Sequence, residues 1–150
     1  MPSDDSTAKA RSYLETLCSV KPNRRTGSPG NREATAFVAG PDTHLHSQPA
    51  RAIEAALAKA GFGADELRAV EINEAFAAVG LQSTRELGLD AAIVNPRGGA
   101  IALGHPLGAS GARIVGSLAV QLAELGPDAL GAVGICGGGG QGSAVVLRAL

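Results

Sequence analysis

Aromatic residues make up only 3% of the 150-residue sequence, tryptophan is absent, and cysteine occurs twice. Two thiols, Cys18 and Cys136, are too few for a disulfide framework. They suit a reducing compartment, so a cytoplasmic location is expected, and each thiol must be judged by its own neighbours. A basic excess is also missing. Thirteen Lys and Arg against 14 Asp and Glu leave a formal charge of -1, no basic cluster is interleaved with aromatics, and nucleic acid is not an expected partner. Apolar runs such as residues 129–136 fall far short of a membrane span, and the first ten residues are polar rather than signal-like, so no membrane association is expected.

What is present is 45% hydrophobic residues, enough for one globular core, and 21 glycines. The glycines gather after Ile93, which predicts tight backbone approaches around a site. Up to about Thr35 the chain is polar and punctuated by Pro and Gly; weak order is expected there, apart from a short helix at residues 7–17. Pro49 then opens an amphipathic helix in which Ala52, Ile53, Ala56, Leu57 and Ala60 recur at helical spacing until Gly61 stops it. Residues 67–72 read as a strand and 74–87 as a helix ended by Gly88, with Asn73 at the junction. Residues 91–94 read as another strand, and a Gly-rich stretch leads into a third helix at 109–125, closed by Gly126 and Pro127. Strands at 129–136 and 143–147 flank a glycine run too short for a parallel crossover, which predicts an antiparallel hairpin. The alternation implies an α/β fold: a mixed sheet flanked by helices, ending in a β-hairpin.

Three polar islands stand in apolar surroundings, at the ends of elements where rigid scaffolds place reactive side chains. They are Asn73, His105 and Cys136. Cys136 reads either as a small buried hydrophobe or as a reactive thiol, because the four glycines that follow it leave backbone N–H groups free to meet developing negative charge. His105, between Gly104 and Pro106, is a core histidine or a ring projected from a tight turn as acid, base or donor. Asn73 suits an N-cap, and that role is compatible with a second one. Gly137, Gly139 and Gly142 match a dinucleotide-binding spacing, but no helix and no acidic residue follow at the required distance. His44 and His46 with Cys136 lack metal-ligand spacing, so no metal is expected.

In combination, Asn73-Glu-Ala-Phe-Ala77, Gly98-Gly-Ala-Ile-Ala-Leu-Gly-His-Pro106 with Gly108-Ala-Ser-Gly-Ala-Arg113, and Cys136-Gly-Gly-Gly-Gly-Gln-Gly142 resemble the C-terminal motifs of the thiolase family, in family order. The resemblance runs from about Phe37, so residues 37–150 are expected to be an incomplete thiolase C-terminal domain and 1–36 an unmatched segment. It implies a partial thiolase-like layered fold and an acyltransferase acting on acyl-CoA or acetyl-CoA, with no cofactor beyond that thioester. Under the resemblance Cys136 is the acid/base cysteine. His105 donates to the thioester oxygen in one oxyanion hole, and Asn73 holds the water completing it. The Gly138 amide serves a second oxyanion hole, while Ala75 and Phe76 line the pantetheine path.

The family's nucleophilic cysteine has no match. Cys18 is the candidate by residue type alone, and it lacks the small-residue setting. The first strand of the family's second half and the loop that grips CoA are also expected to be missing, and Pro96 and Arg97 depart from the family pattern. Three hypotheses remain open at this point. One is a catalytic portion that is inactive alone, forming a homo-oligomer or pairing with a thiolase N-terminal half. The others are a non-catalytic acyl-CoA- or lipid-binding module and a truncated product without function.

Overall fold

The computed structural model describes residues 32–150. Four strands form one sheet in the order β1-β4-β3-β2, where β1 is Arg32–Ala39, β2 Leu67–Ile72, β3 Leu130–Gly137 and β4 Gln141–Arg148. The hairpin β3-β4 is antiparallel, as is β1 against β4, while β2 runs parallel to β3. A mixed sheet flanked by helices is thus present, as the alternation of elements implies.

Helix α1, Gln48–Ala60, covers one face. Pro49 presets the first turn, and Gly61 at φ 76 closes the last, with Gly61 N donating to Ala58 O at 3.3 Å and Phe62 N to Leu57 O at 3.0 Å. Its stripe of Ala52, Ile53, Ala56 and Leu57 packs on Val70, Ile72, Ala132, Ala144 and Val146. Full burial of Ile53 alone is worth roughly 1.5–3 kcal/mol. The approach is close: a Cβ at Gly134 would stand 2.9 Å from Ile53 Cδ1 and 3.0 Å from Pro49 Cβ. The opposite face is covered by a longer helix, Ser110–Leu125, whose Ile114, Leu118 and Leu122 meet Ala69, Val133 and Leu147.

The remaining α-helices are α2, Ala77–Glu86, and α3, Ala100–Leu103, which makes the long helix Ser110–Leu125 α4, and two 3-10 turns lie at Ala64–Glu66 and Ala91–Ile93. Among the described residues no helix is long and apolar enough to cross a membrane.

Four expectations need correction. Strand β1 begins at Arg32, where weak order and a missing first strand were expected. Its inward residues, Ala34, Ala36 and Val38, are too small to signal a strand by themselves, and it is β4 that fixes them, from Ala34↔Val146 to Ala39↔Gln141. Residues 91–94 are not a strand: Asp90 Oδ1 accepts from Ala92 N at 2.9 Å and curls the chain into a 3-10 turn, leaving only a bridge between Val94 and Val70. Helix α2 starts three residues later than expected, because Phe76 is extended, at φ -143 and ψ 155, and stands as its N-cap. The turn α3 was not anticipated at all. The expected helix at 7–17, and Cys18, lie outside the described residues.

Candidate functional site

Strands β2 and β3 are parallel neighbours, so their C-terminal ends open at the same edge. That edge is where ligands approach in open α/β sheets. Asn73 N donates to Gly134 O at 2.9 Å, extending the ladder one step beyond β2. Cys136 lies two residues further along β3, and alternation puts it on the α1 side, where it packs against that core.

Asn73 is fully buried. Its Nδ2 lies 3.4 Å from His105 Nε2, and the other ring nitrogen, Nδ1, lies 2.7 Å from Ser110 Oγ. His105 is therefore held between the end of β2 and the first residue of α4. Its backbone is fixed as well. Gly104 sits at φ 85, Arg113 Nη1 donates to its carbonyl at 2.8 Å, and Pro106 O accepts from Ala109 N and Ser110 N at 2.9 Å each. Asn73 does not cap α2, whose N-cap is Phe76.

Asn95 and Glu74 hold the loop beneath. The Asn95 side chain accepts from Ile72 N at 2.8 Å and donates to Ile72 O at 2.9 Å and to Glu74 Oε1 at 3.0 Å. Glu74 Oε2 accepts from Ile101 N at 3.0 Å, and a Cβ at Gly99 would collide with the Glu74 carboxylate. This accounts for Gly99, while Gly98 and Gly104 are required by positive φ, 87 and 85. Pro96 and Arg97 do not disturb the turn, since Gly98 N still donates to Asn95 O at 2.9 Å and Arg97 pairs with Glu124.

The structure brings Asn73 and His105 together and places Cys136 at the same edge, but among the described residues no hydrogen bond joins Cys136 to His105. Burial pushes the Cys136 thiol up, so it rests protonated at neutral pH. Gly138, next in the hairpin loop, is exposed, and the space where its Cβ would stand is open. Ala75 is half-buried against the α1-side core, and Phe76 is 62% exposed. His44 and His46 lie elsewhere, beside a cleft of about 870 Å³ that none of Asn73, His105 and Cys136 lines. His44 pairs with Asp42 at 3.1 Å, and the His46 carbonyl accepts from Ser83 Oγ at 2.9 Å.

Sequence reasoning singled out neither Ser110, Arg113, Glu74 nor Asn95. The first three stand inside the motifs quoted above. Asn95 carried no signal beyond its position before the glycines.

The arrangement offers an imidazole held at both nitrogens, a buried amide, a thiol and an open glycine tip around one edge. Residues 30–149 match the family model "Thiolase, C-terminal domain". A "Probable acetyl-CoA acetyltransferase" of Mycobacterium tuberculosis is 59% identical over 116 residues, 77% of this chain and 29% of that protein. The peroxisomal "3-ketoacyl-CoA thiolase B" of Rattus norvegicus is 49% identical over 113 residues, 75% of this chain and 27% of that one. A crystal structure of human mitochondrial 3-ketoacyl-CoA thiolase superposes with a TM-score of 0.74 at 40% identity, covering 79% of this chain and 30% of the other. The chain thus spans less than a third of the length of these relatives.

Proposed function

This chain belongs to the thiolase family, as its C-terminal domain, and from that premise we propose that it supplies the proton-transfer side of an acyl transfer that forms or cleaves a carbon–carbon bond in a CoA thioester. The difficulty in such a reaction is the α-carbon, whose proton is lost only if the negative charge moving onto the thioester oxygen is stabilised. His105 donates to that oxygen, and Asn73 holds the water that completes the hole. Cys136 moves the proton between solvent and the α-carbon. Because burial raises its pKa, the resting thiol acts first as an acid in the cleavage direction, giving its proton to the departing carbon and regaining one afterwards. The Gly138 amide serves the second oxyanion, and Ala75 and Phe76 flank the pantetheine arm.

The acyl group itself needs a second, nucleophilic cysteine. We assign it to a thiolase N-terminal half that pairs with this domain, and we place the activity in the cytosol.

The observation that carries this reading is the 3.4 Å contact between Asn73 and His105 at the mouth of β2, because two residues 32 apart in sequence meet where the two motifs would have to meet. The test is thiolysis of acetoacetyl-CoA by this chain mixed with an N-terminal thiolase half that carries the nucleophile. Turnover should appear on mixing, and Cys136→Ala and His105→Ala should each lower it by about 10²–10⁴-fold, the usual worth of a positioned acid or base. Activity indifferent to Cys136 would sink the proposal.

A further inference from the structure

The Ser110 hydroxyl has one proton and two acceptors within reach, His105 Nδ1 at 2.7 Å and the Pro106 carbonyl at 3.1 Å. That carbonyl is already occupied. It accepts from Ala109 N and Ser110 N, both at 2.9 Å, and a carbonyl oxygen has two lone pairs.

On the far side of the ring stands an independent observation. Asn73 is fully buried, and its Oδ1 has no hydrogen-bond partner among the described residues. Both orientations of an amide fill the same space, so with a proton on Nε2 the amide oxygen can face the ring and accept it, a bond that a thioester oxygen would replace, while Nδ2 takes the place that has no partner.

We propose that Ser110 is a positioning residue whose hydroxyl donates to Nδ1 of His105, holding the ring as its neutral Nε2–H tautomer with the N–H presented beside Asn73. The proposal rests on the thioester reading for its purpose, since a ring that stabilises a thioester oxygen must present a donor rather than a lone pair. The tautomer itself is independent of any activity. The assignment also gives a reason for Ser110 to be fully buried at the start of α4, where its side chain caps nothing.

The experiment is long-range ¹H–¹⁵N correlation NMR on the 150-residue chain labelled at histidine, at a pH where imidazole is neutral. The His105 signals are identified by their loss in His105→Gln. The expected result is a pure Nε2–H pattern for His105, with Nδ1 shifted as a hydrogen-bonded acceptor. Ser110→Ala should move the Nδ1 resonance toward the unbonded position, and Ser110→Thr, which keeps the hydroxyl, should restore it. A His105 in the Nδ1–H form would overturn the proposal even if neither variant folds, as would an Nδ1 resonance unmoved by Ser110→Ala. Should the pure Nε2–H pattern appear while the mixed halves show no thiolysis, the role of Ser110 stands and the functional reading fails separately.

Discussion

Asn95 stands in for a missing strand beside Ile72: its side-chain amide accepts from Ile72 N at 2.8 Å and donates to Ile72 O at 2.9 Å, pairing with both backbone groups as a neighbouring strand would. It does so from a left-handed conformation, φ 47, which asparagine tolerates better than most residues. Asn95→Ala strands both groups at the end of β2, and a loss of about 2 kcal/mol is expected. Asn95→Asp should be worse than its size suggests, because it replaces the amide donor by a charge facing Glu74. Urea unfolding of the two variants measures this; an Asn95→Ala midpoint equal to that of the parent chain would show that the clamp is ornamental.

Glu71 makes a second, pH-dependent prediction. It is 2% exposed on the α4 side of β2, where Gln121 Nε2 donates to it at 2.5 Å. Burial raises its pKa above the ordinary value, opposed by the bonds from Gln121 and Ser117. The folded state therefore holds the proton more tightly than the unfolded state. The stability this gives is full below the ordinary glutamate range and is lost as pH rises through the elevated folded pKa. Glu71→Gln should remove that loss, making the variant the more stable one at pH 8. Unfolding curves at pH 5 and pH 8 decide it. A parent chain whose advantage over Glu71→Gln grows with pH would have the sign reversed.

Legibility in the sequence followed the size of the side chains involved. The stripe of α1 was readable because Ile53 and Leu57 recur among alanines, and the hairpin because Gly137 to Gly142 leave no length for a crossover. Strand β1 was not, since Ala34, Ala36 and Val38 bury little area and depend on β4. Residues 91–94 misled because their apolar character stands for a single bridge to Val70, while Asp90 bends the chain. At the site, Asn73 and His105 were visible as polar residues in apolar runs. Ser110 and Asn95 act through geometry that no spacing rule reveals.

The surface carries a third prediction. Ile101, Leu103 and Leu107 are 65%, 61% and 84% exposed, all within six residues of one another around His105. Isolated apolar residues are normal on a surface, but a group of this kind favours association. Light scattering of the chain alone should give a mass well above that of a monomer. The double variant Leu103→Asp and Leu107→Asp should lower it, and a monodisperse monomer in the parent chain would dismiss the patch.

Tested alone, the 150-residue chain is expected to give no thiolase turnover. Proton transfer at the α-carbon does not cleave or form the bond unless an acyl group is carried on a second thiol, and Cys136 is the free cysteine among the described residues. Release of CoA from acetyl-CoA and thiolysis of acetoacetyl-CoA are the assays. Turnover that vanishes in Cys18→Ser would give Cys18 the nucleophile's role.

The last prediction concerns Cys136 itself. Burial pushes its pKa up, and among the described residues no hydrogen bond from His105 opposes this. Only the thiolate reacts with iodoacetamide, so the rate follows the deprotonated fraction. In the isolated chain, alkylation of Cys136 should be slow at pH 7 and should reach half its plateau at a pH above that of an ordinary thiol, with His105→Ala leaving the midpoint in place. Pairing with an N-terminal half should then lower the midpoint, if the second half supplies the charge or donors that this domain lacks around the sulfur. Mass-resolved alkylation across pH 7–11 separates Cys136 from Cys18 by peptide. A midpoint at or below that of a free cysteine in the isolated chain would mean that the thiol is already activated, and the resting acid proposed for it would have to become a resting base.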